Sequence, residues 1–191
     1  MNRRILIVAL VQLLLLCGMV GAKQYTLNTG EQILLETQPI DPRSLFRGDY
    51  VRLNYTINSL ALEELVGDDI FAQHDTVWVV LRKDGEYHQP VSAHNRKPDT
   101  GHVVIKGTVR NANVSRWNAE TQSTEPFLRL DVKYGIENYF VPEGTGRELE
   151  LRWRDDEEKR VDIRVAVDSA GKSGIKAVLV NGEARYVETL L

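Results

Sequence analysis

Residues able to do chemistry concentrate in two stretches. The first is Asp41-Pro42-Arg43-Ser44-Leu45-Phe46-Arg47-Gly48-Asp49-Tyr50-Val51-Arg52-Leu53-Asn54-Tyr55. It sets a carboxylate (Asp49), a phenol (Tyr50) and a guanidinium (Arg47) at the entrance to a strand. The second stretch holds Glu137, Glu143, Gly144, Gly146, Arg147, Glu148 and Glu150. If its carboxylates met Asp49 in space, the cluster would bind a cation or perform acid–base work. Each stretch also has a purely architectural reading. Gly48 supplies positive φ or close approach before a strand, Asp49 caps the turn by accepting backbone N–H groups, and Leu53 and Tyr55 share a core face. Glu143 and Glu148 suit the N-terminus of a short helix, with Thr145 and Glu148 at capping-box spacing. Gly144 and Gly146 flank Thr145 as in a phosphate loop, but neither the Walker nor the Rossmann spacing is present.

Complete catalytic constellations are missing from the sequence. The strand-entry segment has a faint likeness to signal peptidases, whose nucleophilic serine precedes a Gly-Asp by eight residues. Ile40 stands at that position here, Ser44 is misplaced, and the following strand, TVWVVLR, offers no lysine base. The histidines are His74, His88, His94 and His102, and none forms a His-x-His or His-x3-His pair. His94 and His102 flank a loop, two potential ligands where a metal needs about three. No catalytic residue, metal or cofactor is therefore assigned.

The elements that must position these residues are mostly strands, because the apolar period is two. Strands are expected over residues 31–36, 50–57, 76–82, 86–93, 102–109, 127–134, 161–167, 175–180 and 185–187. The strand at 76–82 is apolar on both faces and reads as central. Pro90 pushes its neighbour towards an edge or a bulge. Asn181-Gly182 is a two-residue hairpin signal. Residues 111–124 read as a polar loop, and short helices are expected at 60–65 and 146–153. The expected fold is mainly β (α+β): one barrel-like or sandwich domain of about eight or nine strands with two short helices, preceded by an N-terminal hydrophobic helix.

That first segment stands apart. Arg3 and Arg4 precede a run from Ile5 to Cys17 interrupted only by Gln12, and Gly18, Gly21 and Ala22 lead to Lys23. This is an export layout, either a signal cleaved after Ala22 or an uncleaved anchor. Residues 1–22 are accordingly separated from a domain at 23–191. The two arginines hold the N-terminus in the cytoplasm, which makes the domain extracytoplasmic, periplasmic or on the outer face of the inner membrane. A lipidated Cys17 is disfavoured by Leu16 before it. With 24 Lys+Arg against 27 Asp+Glu the formal net charge is −3, so nucleic acid is an unsuitable partner. The single cysteine excludes a disulfide framework.

Gly48, Asp49, Tyr50, Leu53 and Tyr55 match the signature of the GDYXXLXY family, which this chain resembles. The resemblance continues through Tyr134-Gly135-Ile136-Glu137, Tyr139-Phe140-Val141-Pro142-Glu143-Gly144 and Gly146 to Leu179-Val180-Asn181-Gly182. It implies an N-terminal hydrophobic segment and a multi-pass membrane protein as partner, and it implies no reaction. The function expected is a non-enzymatic, membrane-associated partner-binding module. The alternatives are a cell-envelope enzyme, or a domain that binds a small ligand or cation in a carboxylate-rich pocket.

Overall fold

The computed structural model describes residues 3–38, 50–112, 115–118, 123–126, 128–140 and 161–188. In chain order these form α1 (Arg3–Thr29), β1 (Glu31–Glu36), β2 (Tyr50–Arg52), β3 (Ser59–Ala61), β4 (Val66–Gly67), β5 (Thr76–Asp84), β6 (Tyr87–His94), β7 (Val103–Ala112), β8 (Ser115–Asn118), β9 (Ser123–Pro126), β10 (Arg129–Lys133), β11 (Asn138–Phe140), β12 (Val161–Val167), β13 (Ser173–Val180) and β14 (Glu183–Val187). The fold is mainly β, with a curled half-barrel sheet and more strands than the eight or nine expected. Part of the excess is the β8–β9 hairpin, in the stretch expected to be a polar loop. Ser, Thr and Asn alternate there with few apolar residues, so the backbone pairing has no periodic signature.

Two sheets face each other across one core. The first has order β1-β12-β13-β14 and is antiparallel throughout. The second has order β3-β10-β7-β5-β6-β4. Ile33, Leu35, Ile163, Val165 and Val178 of the first sheet join Val77, Val79, Leu81, Ile105, Leu130 and Val132 of the second in a single buried cluster. β5 is interior, with β7 and β6 on its flanks. Beside Pro90 the register slips, with Val80 opposite Ser92 and Leu81 opposite Pro90, so Val91 is an extra residue in a bulge. Asn181 and Gly182 both take positive φ, 51° and 81°, and close a two-residue turn from Val180 to Glu183.

The helix expected at 60–65 does not form. Ser59–Ala61 is a strand paired with β10, and only Leu62–Glu64 makes a 3-10 turn. Six residues are too few to sustain a helix against a sheet edge that places Leu60 opposite Leu130 in the core. The segment expected to form a helix at 146–153 lies outside the described residues.

α1 is long and apolar enough to cross a membrane, and its apolar length is not covered by the domain. At 27 residues it measures about 40 Å against a hydrocarbon thickness of about 30 Å. The excess sits at its C-terminal end, where Thr26 and Leu27 are buried on the four-stranded sheet. Thr26 Oγ1 donates to Asp168 Oδ2 at 2.6 Å, and Lys176 Nζ donates to the Leu27 carbonyl at 3.0 Å. The other Asp168 oxygen accepts the Ala170 and Lys172 N–H groups, both at 2.9 Å, so one carboxylate shapes the β12–β13 turn and grips the helix. Gly30 ends the helix. A Cβ there would lie 2.9 Å from the Val167 nitrogen, so the approach to β12 requires glycine.

Candidate functional site

The described part of the motif is a clasp between two chain segments. Leu53 and Tyr55 are buried in the core. The Leu53 N–H donates to the Glu137 carbonyl at 2.8 Å. Tyr55 Oη donates to the Ile136 carbonyl at 2.7 Å, and reciprocally Tyr134 Oη donates to the Ile57 carbonyl at 2.9 Å. Two phenols thus cross-tie residues 53–58 to residues 134–137, each satisfying a buried carbonyl. Asn58 completes the tie: its Oδ1 accepts the Tyr55 N–H at 2.7 Å, and its amide donates to the Val132 carbonyl at 2.8 Å.

Glu137 sits within this clasp and is 7% exposed. Oε1 accepts the Tyr134 N–H at 2.5 Å and the Asn58 amide at 3.2 Å, while Oε2 accepts the Gly135 N–H at 2.9 Å. Such a charge is tolerable inside because several donors solvate it. Its field also acts on the phenols. Burial first, and the Glu137 charge second, push both Tyr55 and Tyr134 well above the ordinary tyrosine range. Because their folded values are raised, the stability tied to the neutral phenols is fully present below the unfolded value near 10. It is lost as pH rises above that value. We expect alkaline unfolding to steepen above about pH 10, by about 1.4 kcal/mol per pH unit for each buried phenol. Unfolding midpoints at pH 9 to 11 measure this, and Tyr134→Phe should flatten the slope by about one phenol's share.

Of the other predicted site residues, Tyr50 lies in β2 opposite Phe140, with only its backbone described. Arg47, Gly48, Asp49, Glu143, Gly144 and Gly146 lie outside the described residues, and so does the proposed meeting of Asp49 with the second carboxylate group. Leu53, Tyr55 and Glu137 are the predicted residues brought together among the described ones, Leu53 by its N–H on the Glu137 carbonyl and Tyr55 through the Ile136 carbonyl and Asn58. Among the described residues no group of three or more His, Cys, Asp or Glu side chains is arranged to hold a metal ion. His94 bonds the Ser92 hydroxyl at 2.9 Å.

Beside the clasp, where the β2–β11 ribbon meets the β3–β10–β7 end of the larger sheet, lies a cleft of about 450 Å³. Arg52, Arg110 and Arg129 line it together with Gln38, Asn54, Asn58, Asp131 and Glu137. Arg52 carried a weak signal in the sequence, standing beside the motif on the face opposite Leu53. Arg110 carried none, because the strand was expected to end at Val109, whereas β7 runs on to Ala112. β10 runs directly from Asp131 to Val132, yet their partners on β7 are Asn111 and Val109. Arg110 is the extra residue, and a bulge of this kind re-aims the side chain it carries.

The family model described as GDYXXLXY protein matches residues 12–178. No curated protein and no solved structure matches the chain. The matched span begins within α1 and ends in β13, enclosing the clasp, the cleft and the joint between helix and sheet. The chain belongs to the GDYXXLXY protein family.

Proposed function

We propose that this protein is a membrane-tethered, extracytoplasmic β module that binds a partner and is not an enzyme, the partner being a multi-pass membrane protein. The observation that carries this reading is the joint between α1 and the sheet. An apolar helix of membrane-spanning length continues without a break into a turn clasped by Asp168 and Lys176. A clasped helix end fixes the attitude of a domain above the bilayer, which favours recognition of another protein in the same plane. Lys23 and the exposed Tyr25 suit the membrane–water interface, where amphipathic side chains settle. Arg3 and Arg4 at the other end favour a cytoplasmic N-terminus.

The test is fractionation of cells expressing the full chain with a C-terminal tag. The protein should resist alkaline carbonate extraction, retain the mass of residues before Lys23, and lose its domain to protease added to spheroplasts. A soluble product beginning at Lys23, or a domain protected until the membrane is lysed, would overturn the reading. In-membrane crosslinking from an introduced cysteine, Ile70→Cys, should then give a discrete adduct with a membrane protein.

A further inference from the structure

We propose that the arginine-lined cleft binds a small soluble anion bearing a carboxylate or phosphate group. Arg129 contacts the Ser59 hydroxyl and lies 3.7 Å from Asp131, so its charge is largely answered. Glu137 spends its carboxylate on the donors of the clasp. Arg52 and Arg110 have no ion-pair or hydrogen-bond partner among the described residues. Three guanidiniums against the Asp131 and Glu137 carboxylates leave the described lining of the cleft net positive, and concave walls concentrate that field on whatever enters. The guanidinium fork matches the paired oxygens of a carboxylate or phosphate and holds them by charge-assisted bonds.

Two further observations favour a site over a chance grouping. The β7 bulge falls at Arg110 itself, and bulges are enriched beside functional sites. The volume of about 450 Å³ falls in the range that small ligands fill.

The position of the cleft names the source of the anion. Gln38, on its wall, lies beyond the far end of β1 from the strand's first residue, Glu31, which follows the helix. Seven residues at about 3.3 Å each put it roughly 23 Å along the strand from the helix end. The cleft is thus away from the point where the chain enters the bilayer, and a soluble anion reaches it more readily than a lipid headgroup. A second cavity, at the helix end and lined by Glu31, Lys97, Asp99, His102 and Asp168, has mixed charge and favours neither sign.

The test uses the full chain in phosphatidylcholine nanodiscs, titrated calorimetrically with inorganic phosphate and, separately, with citrate. Saturable binding of at least one probe is expected, and the tighter one identifies the recognised group. Arg52→Gln and Arg110→Gln should each weaken it at least tenfold, and the double variant should abolish it. All three arginines reach solvent, so the variants should keep the parent melting temperature, and Lys83→Gln on the β5–β6 hairpin should bind like the parent. Binding of neither probe, or binding unchanged in the double variant, would overturn the proposal. Repeating the titration in phosphatidylglycerol discs separates the sources. Unchanged affinity supports a soluble ligand, and loss of binding would overturn that assignment in favour of a headgroup.

Discussion

Replacing Tyr55 by Ala should cost about 4 to 5 kcal/mol of domain stability, a large fraction of the 5 to 15 kcal/mol typical of a domain. The side chain is fully buried in the shared core, so truncation opens a cavity between the two sheets. It also strips the Ile136 carbonyl of its donor. Tyr55→Phe separates the two contributions. It keeps the ring and removes only the hydroxyl, for an expected loss of about 1 to 2 kcal/mol. Urea unfolding of the full chain in a mild non-ionic detergent measures both. Because Tyr55 and Tyr134 tie the same two segments in opposite directions, the Phe variants should not be additive. A loss below 1 kcal/mol for Tyr55→Ala would mean that the final motif residue does not hold the clasp.

The second large effect is expected at the helix joint. Asp168→Ala removes three bonds at once, from Thr26, Ala170 and Lys172. Bonds to a buried carboxylate contribute about 1 kcal/mol or more each, so a loss of about 3 kcal/mol is expected. Thr26→Ala removes only the bond between helix and sheet, and should cost about 1 kcal/mol while leaving the β12–β13 turn intact. Amide hydrogen exchange distinguishes the two. In Thr26→Ala faster exchange should be confined to the last turns of α1 and Gly30, whereas in Asp168→Ala it should extend into residues 168–173. If neither variant accelerates exchange in α1, the helix end is not held by this contact, and the fixed attitude of the domain over the membrane loses its support.

These expectations divide the motif in a way its signature does not. Leu53 and Tyr55 are architectural: they are buried, and Tyr55 answers a specific carbonyl on a distant segment. Glu137, an acid–base candidate by residue type, is engaged by two backbone N–H groups and an asparagine amide. Arg52 points to a different chemistry. It is exposed beside the clasp, and with Arg110 it gives the cleft positive charge where a cation-binding pocket would need negative charge. A rigid clasp with a charged cleft beside it is a common division of labour, since a site keeps its geometry only when the elements beneath it do not move.

Much of the fold was legible in the sequence because it follows from local period. β1 and β12 fall on the expected bounds of 31–36 and 161–167, since alternating apolar residues in them meet one core from one face. The apolar run of α1 and the Asn181-Gly182 turn were equally plain, each depending on residues close together in the chain. The Leu53 and Tyr55 core positions followed from the same alternation. Pairing between distant segments was not legible. Residues 59–61 became a strand because β10 offered them a partner, and β8–β9 formed without any apolar alternation. Nor does any local pattern say that Asp168 will hold Thr26 across 142 positions, or that Tyr55 will answer a carbonyl 81 residues away. The cleft arises for the same reason, since its arginines come from β2, β7 and β10, which are far apart in the chain. The sequence by itself determined the apolar N-terminal helix, the β character and the family. The tertiary structure alone decided which charges are engaged in holding the fold and which stand exposed in the cleft, because that depends on long-range partners that sequence spacing does not encode.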